Sequence, residues 1–503
     1  MSWSLPVSCC LVSALMLATC SRRAPELRVL GESARMPLDA DAVSASPLFD
    51  GSSLRLRAAR GETLGVQVRQ GKGGGTVSLT LDAPETTVQP FEVRALEVVE
   101  PSTSMYGSST GPGRYPDVLV PTVEAVSSEA AFFYVRVSTT AEPGTYTGTL
   151  RISERTFPVE LRVSSARIDL EQDPLVWSFY APREVARAHG LPDGDSAELI
   201  TRETEYFMLF RRHGVLLASD LPPARFQARR RFVEHTKLWP VAIDSSSDDA
   251  IERDVHAWLE LFRGTGVTPF AIPIDEPRTP EAKARARHVG EVMGQAGGKR
   301  PSLLRAVTDH PDPAYGDAFD VYVSPQSLPA DPERTARGER FWTYNGRQPQ
   351  AGSMILDTEG AALRSWGWIA ERYGVELWYV WEGLYFSDRY NHRRPTDIML
   401  DPVTFDERAS GGTDFGNGDG VLAYPGALPS LRLKTLRRGL QDRLLLRELA
   451  RCGAASEARR IVLRVVPHAL GEAKDRTSFL LEEPAFERVH DELLDLIEAR
   501  CHD

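Results

Sequence analysis

An apolar run that ends in two adjacent acids lies near the middle of the 503-residue chain, Val267-Thr268-Pro269-Phe270-Ala271-Ile272-Pro273-Ile274-Asp275-Glu276-Pro277. A short apolar run bounded by glycine and proline is typical of a buried parallel strand. Thr279 and Pro280 then supply a helix N-cap and a first-turn proline. Asp275 and Glu276 are therefore predicted at the carboxyl end of a strand, which is where β/α folds bind their ligands.

The same strand-then-helix rhythm continues on both sides of this run. About eight apolar strands, from Leu175 to Glu382, alternate with helical segments over ~210 residues, which is the size of a (β/α)₈ barrel. An open doubly wound sheet is the alternative, but no glycine-rich phosphate fingerprint follows any predicted strand. We predict a barrel domain over residues 174–430.

The flanking segments have different patterns. Residues 26–168 contain many short runs with period-two alternation separated by turn residues, which indicates an all-β sandwich. Residues 431–503 carry helical periodicity, including an amphipathic helix from Leu431 to Leu449, and are predicted as a helical extension. The glycine-dense segment 411–420 lacks the downstream glutamate of a calcium-binding EF-hand loop, so we interpret it as a turn at the barrel mouth.

The composition and the first residues bear on location and partners. A net charge of −11 argues against a nucleic-acid partner. Residues 1–20 resemble a secretory signal with a lipobox-like end, so we expect export and lipidation at Cys20, an envelope or secreted location, and membrane contact only through that lipid. The alternative is a plain cleaved signal.

Two cysteines lie near the end of the chain. Cys452 and Cys501 form a disulfide or remain two buried thiols. No zinc motif is present in the sequence, so neither a metal nor a cofactor is predicted.

The two acids allow three interpretations: a metal site, a structural pair neutralised by arginines, or acid/base catalysis. Asp309, Asp320, Asp357 and Glu382 also lie near predicted strand ends and are the further candidates for metal ligands; Arg278 and Arg305 are the candidate structural partners. For glycoside hydrolysis, neighbours on a strand flank a glycosidic bond poorly. They suit the substrate-assisted variant, in which the 2-acetamido oxygen of the sugar attacks the anomeric carbon.

Aromatic residues gather near the last predicted strands, where sugar rings could dock on their faces. We predict substrate contacts from these residues together with two polar neighbours: Trp342, Trp378, Tyr379, Trp381, Asn345 and Asp419. The alternative is that the aromatics fill the barrel core.

Several motifs carry a family resemblance. They are Ile274-Asp275-Glu276-Pro277, Gly374-Val375-Glu376-Leu377-Trp378-Tyr379-Val380-Trp381, Gly418-Asp419-Gly420, Tyr424-Pro425-Gly426 and, near the N-terminus, Arg60-Gly61-Glu62 and Tyr115-Pro116-Asp117. In this order they resemble glycoside hydrolase family 123 and its relatives of unassigned function, over about residues 54–446. The resemblance implies a β-sandwich followed by a (β/α)₈ barrel.

The resemblance also implies substrate-assisted β-N-acetylgalactosaminidase activity. It assigns the acetamide-orienting role to Asp275 and the acid/base role to Glu276, and Tyr344 is the candidate for the family's assisting tyrosine. The predicted function is retaining hydrolysis of terminal β-N-acetylhexosamine, with a glycan as the substrate. Two alternatives remain: a non-catalytic carbohydrate-binding surface protein, and a hydrolase of non-acetylated sugars in which Asp275 is the nucleophile or base.

Overall fold

The computed structural model describes residues 27–501 apart from 39, 41–44, 72–73, 104–106, 172–173, 235, 299–302, 325–331, 388–396 and 476–477. The predicted signal and Cys20 lie outside the described residues. None of the helices within the described ranges combines the length and the apolar character that a membrane crossing requires.

The first part of the chain is a β-sandwich of two five-stranded sheets. Its strands are β1 (Arg28–Gly31), β2 (Leu54–Arg60), β3 (Thr63–Arg69), β4 (Gly75–Leu81), β5 (Thr86–Val98), β6 (Gly113–Pro121), β7 (Val126–Ser128), β8 (Ala130–Val137), β9 (Gly144–Ile152) and β10 (Arg155–Arg167). One sheet has the order β1-β3-β8-β5-β6 and the other β2-β10-β9-β4-β7. Alternate residues such as Leu54 and Leu56 are buried between the sheets, whereas Arg55 is exposed, as period-two patterning requires.

Eight parallel strands follow and form a nearly closed barrel. They are β11 (Val176–Phe179), β12 (Val215–Ala218), β13 (Leu238–Pro240), β14 (Thr268–Ala271), β15 (Leu304–Val307), β16 (Val321–Val323), β17 (Arg340–Tyr344) and β18 (Trp378–Val380). Their order is β12-β11-β18-β17-β16-β15-β14-β13, so chain neighbours are also sheet neighbours, and β18 returns to pair with β11. Within the described residues no ladder joins β12 to β13. A doubly wound sheet reverses its strand order, so this alternative is wrong.

Helices alternate with the barrel strands. They are α1 (Pro182–Ala188), α2 (Ala197–Arg211), α3 (Pro223–Phe226), α4 (Asp248–Phe262), α5 (Pro280–Gly297), α6 (Pro332–Ala336) and α7 (Ser365–Tyr373). As predicted, Thr279 caps α5 by accepting a hydrogen bond from the Ala282 amide. The cap of α2 is Ser196, which accepts a hydrogen bond from the Leu199 amide, whereas the neighbouring Asp195 carboxylate pairs with Arg225 and Arg229.

Two hairpins and three helices complete the described chain. They are β19 (Val403–Asp406), β20 (Phe415–Asn417), β21 (Ala423–Tyr424), β22 (Leu428–Pro429), α8 (Leu431–Leu449), α9 (Ala455–Val465) and α10 (Glu483–Arg500). The predicted bounds of α8 are confirmed, but its predicted amphipathic character is wrong. Arg432, Lys434 and Arg437 are as buried as its leucines because α8 lies between the sandwich and the barrel.

The buried cations of α8 meet acids from both flanking parts. Arg438 pairs with Glu62 of the sandwich side and with Glu487 of α10. The Arg432 Nε donates to Asp117 Oδ2 at 3.0 Å. We call the group around Arg438 the α8 charge network and define it as Arg438, Glu62, Glu487, Arg364 and Asp442 with Glu32, Arg437 and His490.

The C-terminal cysteines are joined. Cys452 and Cys501 form a disulfide with a Cα–Cα distance of 5.1 Å, which closes a sequence separation of 49 residues between α8 and the end of α10. Of the two alternatives left by the sequence, the bonded pair is therefore the one found. The structure also places Glu448 beside these two sulfurs, but bonded sulfurs are not thiolate ligands for a metal.

We expect the double substitution Cys452→Ser with Cys501→Ser to lower the free energy of unfolding by about 2–4 kcal/mol, since the bridge restricts the unfolded chain. Thermal unfolding with and without a reductant measures the effect. The wild-type Tm should fall on reduction, whereas the Tm of the double variant should not respond. A wild-type Tm that ignores the reductant would contradict the prediction.

Candidate active site

The carboxyl ends of four barrel strands, β14 to β17, meet around a cavity of about 470 Å³. Among the residues that line it are Glu276, Thr308, Ser324, Tyr344, Asn345 and Asp419. Strand β14 is shorter than predicted and ends at Ala271, so the two acids lie in the loop beyond it, before α5. Two prolines, Pro273 and Pro277, lack the N–H that continued pairing would need.

Thr308 connects the two acids. The Glu276 backbone N–H donates to Thr308 Oγ1 at 2.6 Å, and this hydroxyl donates onward to Asp275 Oδ1 at 2.7 Å. Thr308 follows β15 directly, so one strand end holds the loop of its neighbour. A chain of hydrogen bonds of this kind fixes both carboxyl groups relative to each other.

Both oxygens of the Glu276 carboxylate have partners. The Tyr344 hydroxyl donates to Oε1, and Arg278 donates to Oε2. The Arg278 side chain is 79% exposed, whereas that of Glu276 is 34% exposed. Arg278 is therefore the partner that can move away into solvent, and Tyr344 is the fixed one.

Two residues of the site have left-handed backbone conformations that side chains other than glycine rarely adopt. They are Glu276, with φ 41°, and Asn345, with φ 49°. Asn345 is held by β18, because its Oδ1 accepts from the Trp381 amide at 3.0 Å and its carbonyl accepts from Trp378 Nε1 at 2.8 Å. Strained backbone of this type persists only where surrounding contacts impose it, and it concentrates at functional sites.

The surroundings shift two proton affinities at the acid pair. Partial desolvation of the Asp275 carboxylate raises its pKa, and the charge of Glu276 adds to the rise, although the residue as a whole is exposed. Burial, with the hydrogen bond to Glu276, raises the pKa of Tyr344. Tyr344 therefore stays a neutral hydrogen-bond donor at any physiological pH.

Asp419 is a third acid at the cavity. It is 6% exposed, and its Oδ2 accepts a hydrogen bond from Trp381 Nε1 at 3.1 Å. Burial raises its pKa to about 7. The glycine-dense segment therefore brings a carboxyl group, half protonated near neutral pH, to the barrel mouth.

The stability of the protein should reflect this buried acid. A folded-state pKa of about 7 means that the folded protein holds the proton more tightly than the unfolded chain, so the contribution of Asp419 to stability falls as pH rises from about 4 to about 7. Asp419→Asn cannot titrate. We expect its stability relative to wild type to rise over this window by up to about 4 kcal/mol. Urea unfolding at pH 4.5, 6 and 8 tests this, and a pH-independent difference would contradict it.

The predicted aromatic contacts divide into two groups. Tyr379 and Trp381 are half-buried close to the cavity, with the Tyr379 ring stacked 5.7 Å from that of Tyr344. Trp342 and Trp378 are not cavity residues: they are 1% and 0% exposed and pack against Phe270 and Trp366 in the core. Their prediction as sugar contacts is corrected. Trp342 helps to fill the barrel interior, whereas Trp378 lies on the opposite strand face from Tyr379 and packs onto Trp366 of α7.

The other acids considered for a metal site have partners of their own or lie away from the cavity. Asp320 forms a buried pair with Arg305, whose Nε lies 2.8 Å from its Oδ2, so Arg305 does not neutralise the acid pair. Asp357 accepts from the Ser102 amide at 2.8 Å and joins the sandwich side to the barrel. Asp309 lines the cavity but pairs with Lys283 at 3.1 Å, and Glu382 is fully buried.

The sequence reasoning missed several cavity residues, chiefly Thr308, His310 and Ser324. A signal for them existed, since Thr308 and Ser324 come directly after strands that the sequence predicted. Arg278 was named only as a structural partner. The structure brings together Glu276, Tyr344, Asn345 and Asp419 at the cavity, with Asp275 attached through Thr308.

The fold and site together define a class: a β-sandwich joined to a (β/α)₈ barrel with an adjacent acid pair after the fourth barrel strand. The sequence matches no protein-family model and no curated protein. Among solved structures, a family 123 glycoside hydrolase from Clostridium perfringens matches 94% of this chain and 97% of its own, with a TM-score of 0.60 and 10% identity. That study concerns glycolipid glycan hydrolysis. The resemblance to family 123 is confirmed at the level of the fold.

Two further solved structures are much less similar. The match to a glycosyl hydrolase family 2 member from Bacteroides cellulosilyticus covers 64% of this chain and 44% of the chain of that protein, with 12% identity and a TM-score of 0.26. The match to an FMN-binding beta-glucuronidase from Faecalibacterium prausnitzii covers 80% of this chain and 59% of the chain of that protein, with 9% identity and a TM-score of 0.23. Scores this low carry no argument about the site.

Proposed function

We propose that this protein is a retaining glycoside hydrolase that removes terminal β-linked N-acetylhexosamine by substrate-assisted catalysis. The observation that carries the proposal is the acid pair: Asp275 and Glu276 are adjacent, connected through Thr308, and Glu276 also accepts from the Tyr344 hydroxyl at a sugar-sized cavity. This geometry supplies one acid for each half of a neighbouring-group reaction.

In the first step the acetamide oxygen of the sugar attacks the anomeric carbon while the bond to the leaving oxygen breaks. Glu276 gives its proton to that oxygen, and an oxazolinium intermediate forms. The Asp275 carboxylate accepts a hydrogen bond from the acetamide N–H and stabilises the positive charge that develops there. Thr308 keeps this carboxylate in its orientation.

In the second step water attacks the anomeric carbon, Glu276 removes its proton, and the acetamide is restored. Two inversions at one carbon give net retention. Glu276 can give or take a proton only when one carboxylate oxygen is free, so the exposed Arg278 must move away from Oε2. Tyr344 remains on Oε1 or transfers its hydrogen bond to the acetamide oxygen.

N-acetylgalactosamine is the sugar we favour. The support is the family 123 resemblance of the motifs around Asp275 and Asp419, together with the matching fold. Asp419, with Trp381 behind it, lies where it can bind sugar hydroxyls at the cavity wall. We propose Asn345, Trp381 and Tyr379 as further substrate-positioning residues.

We also propose export, with lipidation at Cys20. The disulfide between Cys452 and Cys501 supports an oxidising compartment, since such bonds are rare in the cytosol. Labelling cells with a palmitate analogue and comparing wild type with Cys20→Ser tests the anchor. Label retained by the variant would contradict it.

A panel of 4-nitrophenyl β-glycosides of GalNAc, GlcNAc, galactose and glucose tests the reaction. We expect turnover only of the two N-acetylated sugars, GalNAc faster, with the β-anomer as the first product by NMR. A thiazoline analogue of the oxazolinium intermediate should inhibit competitively.

Two results would overturn this assignment. Comparable turnover of galactoside or glucoside would make Asp275 a nucleophile or base that acts without an acetamide. No turnover of any member, with glycan binding retained, would favour a carbohydrate-binding protein.

A further inference from the structure

A second and larger cavity lies between the sandwich and the barrel. Its volume is about 880 Å³, and its walls come from β3, β5 and β8 of the sandwich, the end of α2, and α8. No residue that lines it also lines the cavity at the acid pair. The catalytic chemistry proposed above therefore makes no use of it.

Two buried polar side chains that line this cavity, Gln441 and His213, lack hydrogen-bond partners within the described chain. Gln441 is 1% exposed, and neither its amide oxygen nor its amide nitrogen is hydrogen-bonded to any residue that the structure describes. His213 is 2% exposed; its Nδ1 lies 2.7 Å from the Leu209 carbonyl, and its Nε2 is likewise without a partner in the described chain. Buried polar groups are normally satisfied, so these point to a ligand.

Two cations, Lys434 and Arg437, line the same cavity. The Lys434 ammonium lies 3.9 Å from the centre of the Tyr134 ring, and the Arg437 guanidinium lies 4.5 Å from it. Arg437 pairs with Glu32, but Lys434 forms no ion pair with a described carboxylate. Glu32 balances the charge of Arg437, so Lys434 is the residue whose charge an anionic ligand would complete. Burial lowers the pKa of Lys434, so an anionic group placed beside it would stabilise its charged form.

The mouth of the cavity is lined by hydroxyl and amide groups, including those of Thr63, Thr87, Gln89 and Ser138. Charged residues of both signs line the mouth, so the mouth does not favour a ligand of either charge. The volume far exceeds that of an inorganic ion and lies in the range of small-molecule sites. The suitable occupant has many hydroxyl groups and one acidic group.

We propose that this cavity is a binding site for an anionic saccharide, one that carries a carboxylate or sulfate. The acidic group would lie against Lys434 and Arg437, and the ring hydroxyls would satisfy Gln441 and the His213 Nε2. A bound saccharide would contact the sandwich strands, α2 and α8 at once. The site is independent of the hydrolytic reaction proposed above.

Isothermal titration with N-acetylneuraminic acid, glucuronic acid and N-acetylgalactosamine 6-sulfate tests the site, with galactose, N-acetylgalactosamine and inorganic sulfate as comparison ligands. At least one acidic sugar should bind wild type and Glu276→Gln with equal affinity, and more than ~10-fold more tightly than its neutral counterpart, a difference of about 1.4 kcal/mol. Gln441→Leu and Lys434→Met should weaken it at least ~10-fold.

Thr87→Trp is the variant that does not disturb the core, because Thr87 is exposed at the cavity mouth and a tryptophan there would occupy the opening. It should abolish binding while aryl glycoside hydrolysis stays at the wild-type rate. Three results would overturn the proposal: no acidic sugar binds, binding is lost in Glu276→Gln but kept in Thr87→Trp, or inorganic sulfate binds as tightly as the sulfated sugar.

Discussion

Asp275→Asn and Glu276→Gln are each expected to lower kcat/KM for a β-N-acetylhexosaminide with a poor leaving group by ~10²–10⁴-fold, the usual contribution of a positioned acid or base. The two losses should depend differently on the leaving group. The loss of kcat/KM in Glu276→Gln should be large for a methyl glycoside and small for a dinitrophenyl glycoside. A good leaving group departs in the glycosylation step without receiving a proton. The loss of kcat/KM in Asp275→Asn should be large for both glycosides, because the acetamide must be oriented for either leaving group.

The matched control is Asp309→Asn. Asp309 lines the same cavity, but its carboxylate is held by Lys283 and by the Tyr315 hydroxyl at 2.6 Å, and the proposed reaction assigns it no step. Its kcat/KM should stay within ~10-fold of wild type. Steady-state kinetics on the three variants, with circular dichroism to confirm folding, decides the matter. Wild-type activity of Glu276→Gln toward the methyl glycoside would contradict the general-acid role of Glu276.

Arg438→Met is expected to lower the free energy of unfolding by about 3–5 kcal/mol, because it leaves buried carboxylates without their cation. Arg438 is 2% exposed, and its partners Glu62 and Glu487 are buried with it. Methionine keeps the apolar stem of the side chain and removes the guanidinium. Urea unfolding followed by fluorescence and by circular dichroism measures the change.

Two further variants separate charge from packing. Arg464→Met removes an arginine that is 51% exposed and pairs with Glu492, and it should cost no more than about 1 kcal/mol. Arg438→Met combined with Glu62→Gln should recover part of the loss, since one uncompensated charge is removed. Equal effects for Arg438→Met and Arg464→Met would contradict the role given to the α8 charge network.

This network also has its own pH window. His490 and Arg438 outweigh the effect of burial and lower the pKa of Glu62 to about 2, so its contribution to stability is present above the unfolded value of about 4.3 and is lost as pH falls toward 2. Burial and the charge of Arg438 oppose protonation of His490, but Glu62 and Asp491 outweigh them and raise its pKa to about 9. Its contribution is present below about 6.5 and is lost as pH rises toward 9.

Much of the architecture could be predicted from local patterns. Period-two alternation predicted the β-sandwich, and strand-helix alternation predicted the eight-stranded barrel that the strand order β12-β11-β18-β17-β16-β15-β14-β13 forms. The N-cap of α5 at Thr279 and the bounds of α8 followed from local signals in the same way. Each of these features depends on residues close together in the chain.

The candidate site was predictable only in part. The position of Asp275 and Glu276 beyond the carboxyl end of a strand followed from local pattern, whereas Tyr344 became a candidate only through the family resemblance. The orientation of side chains along β17 and β18 did not. Trp342 and Trp378 face the core, because register in a closed barrel is set by all eight strands together.

The sequence by itself determined the order of strands and helices and the adjacency of the two acids, because these depend on short-range pattern and covalent connection. Only the tertiary structure decided that Thr308 joins Asp275 to Glu276, that Asp419 lies buried at the barrel mouth, and that the charged helix α8 is enclosed between the sandwich and the barrel. These features arise from residues tens to hundreds of positions apart. Packing alone brings such residues together, and the resulting burial sets their proton affinities.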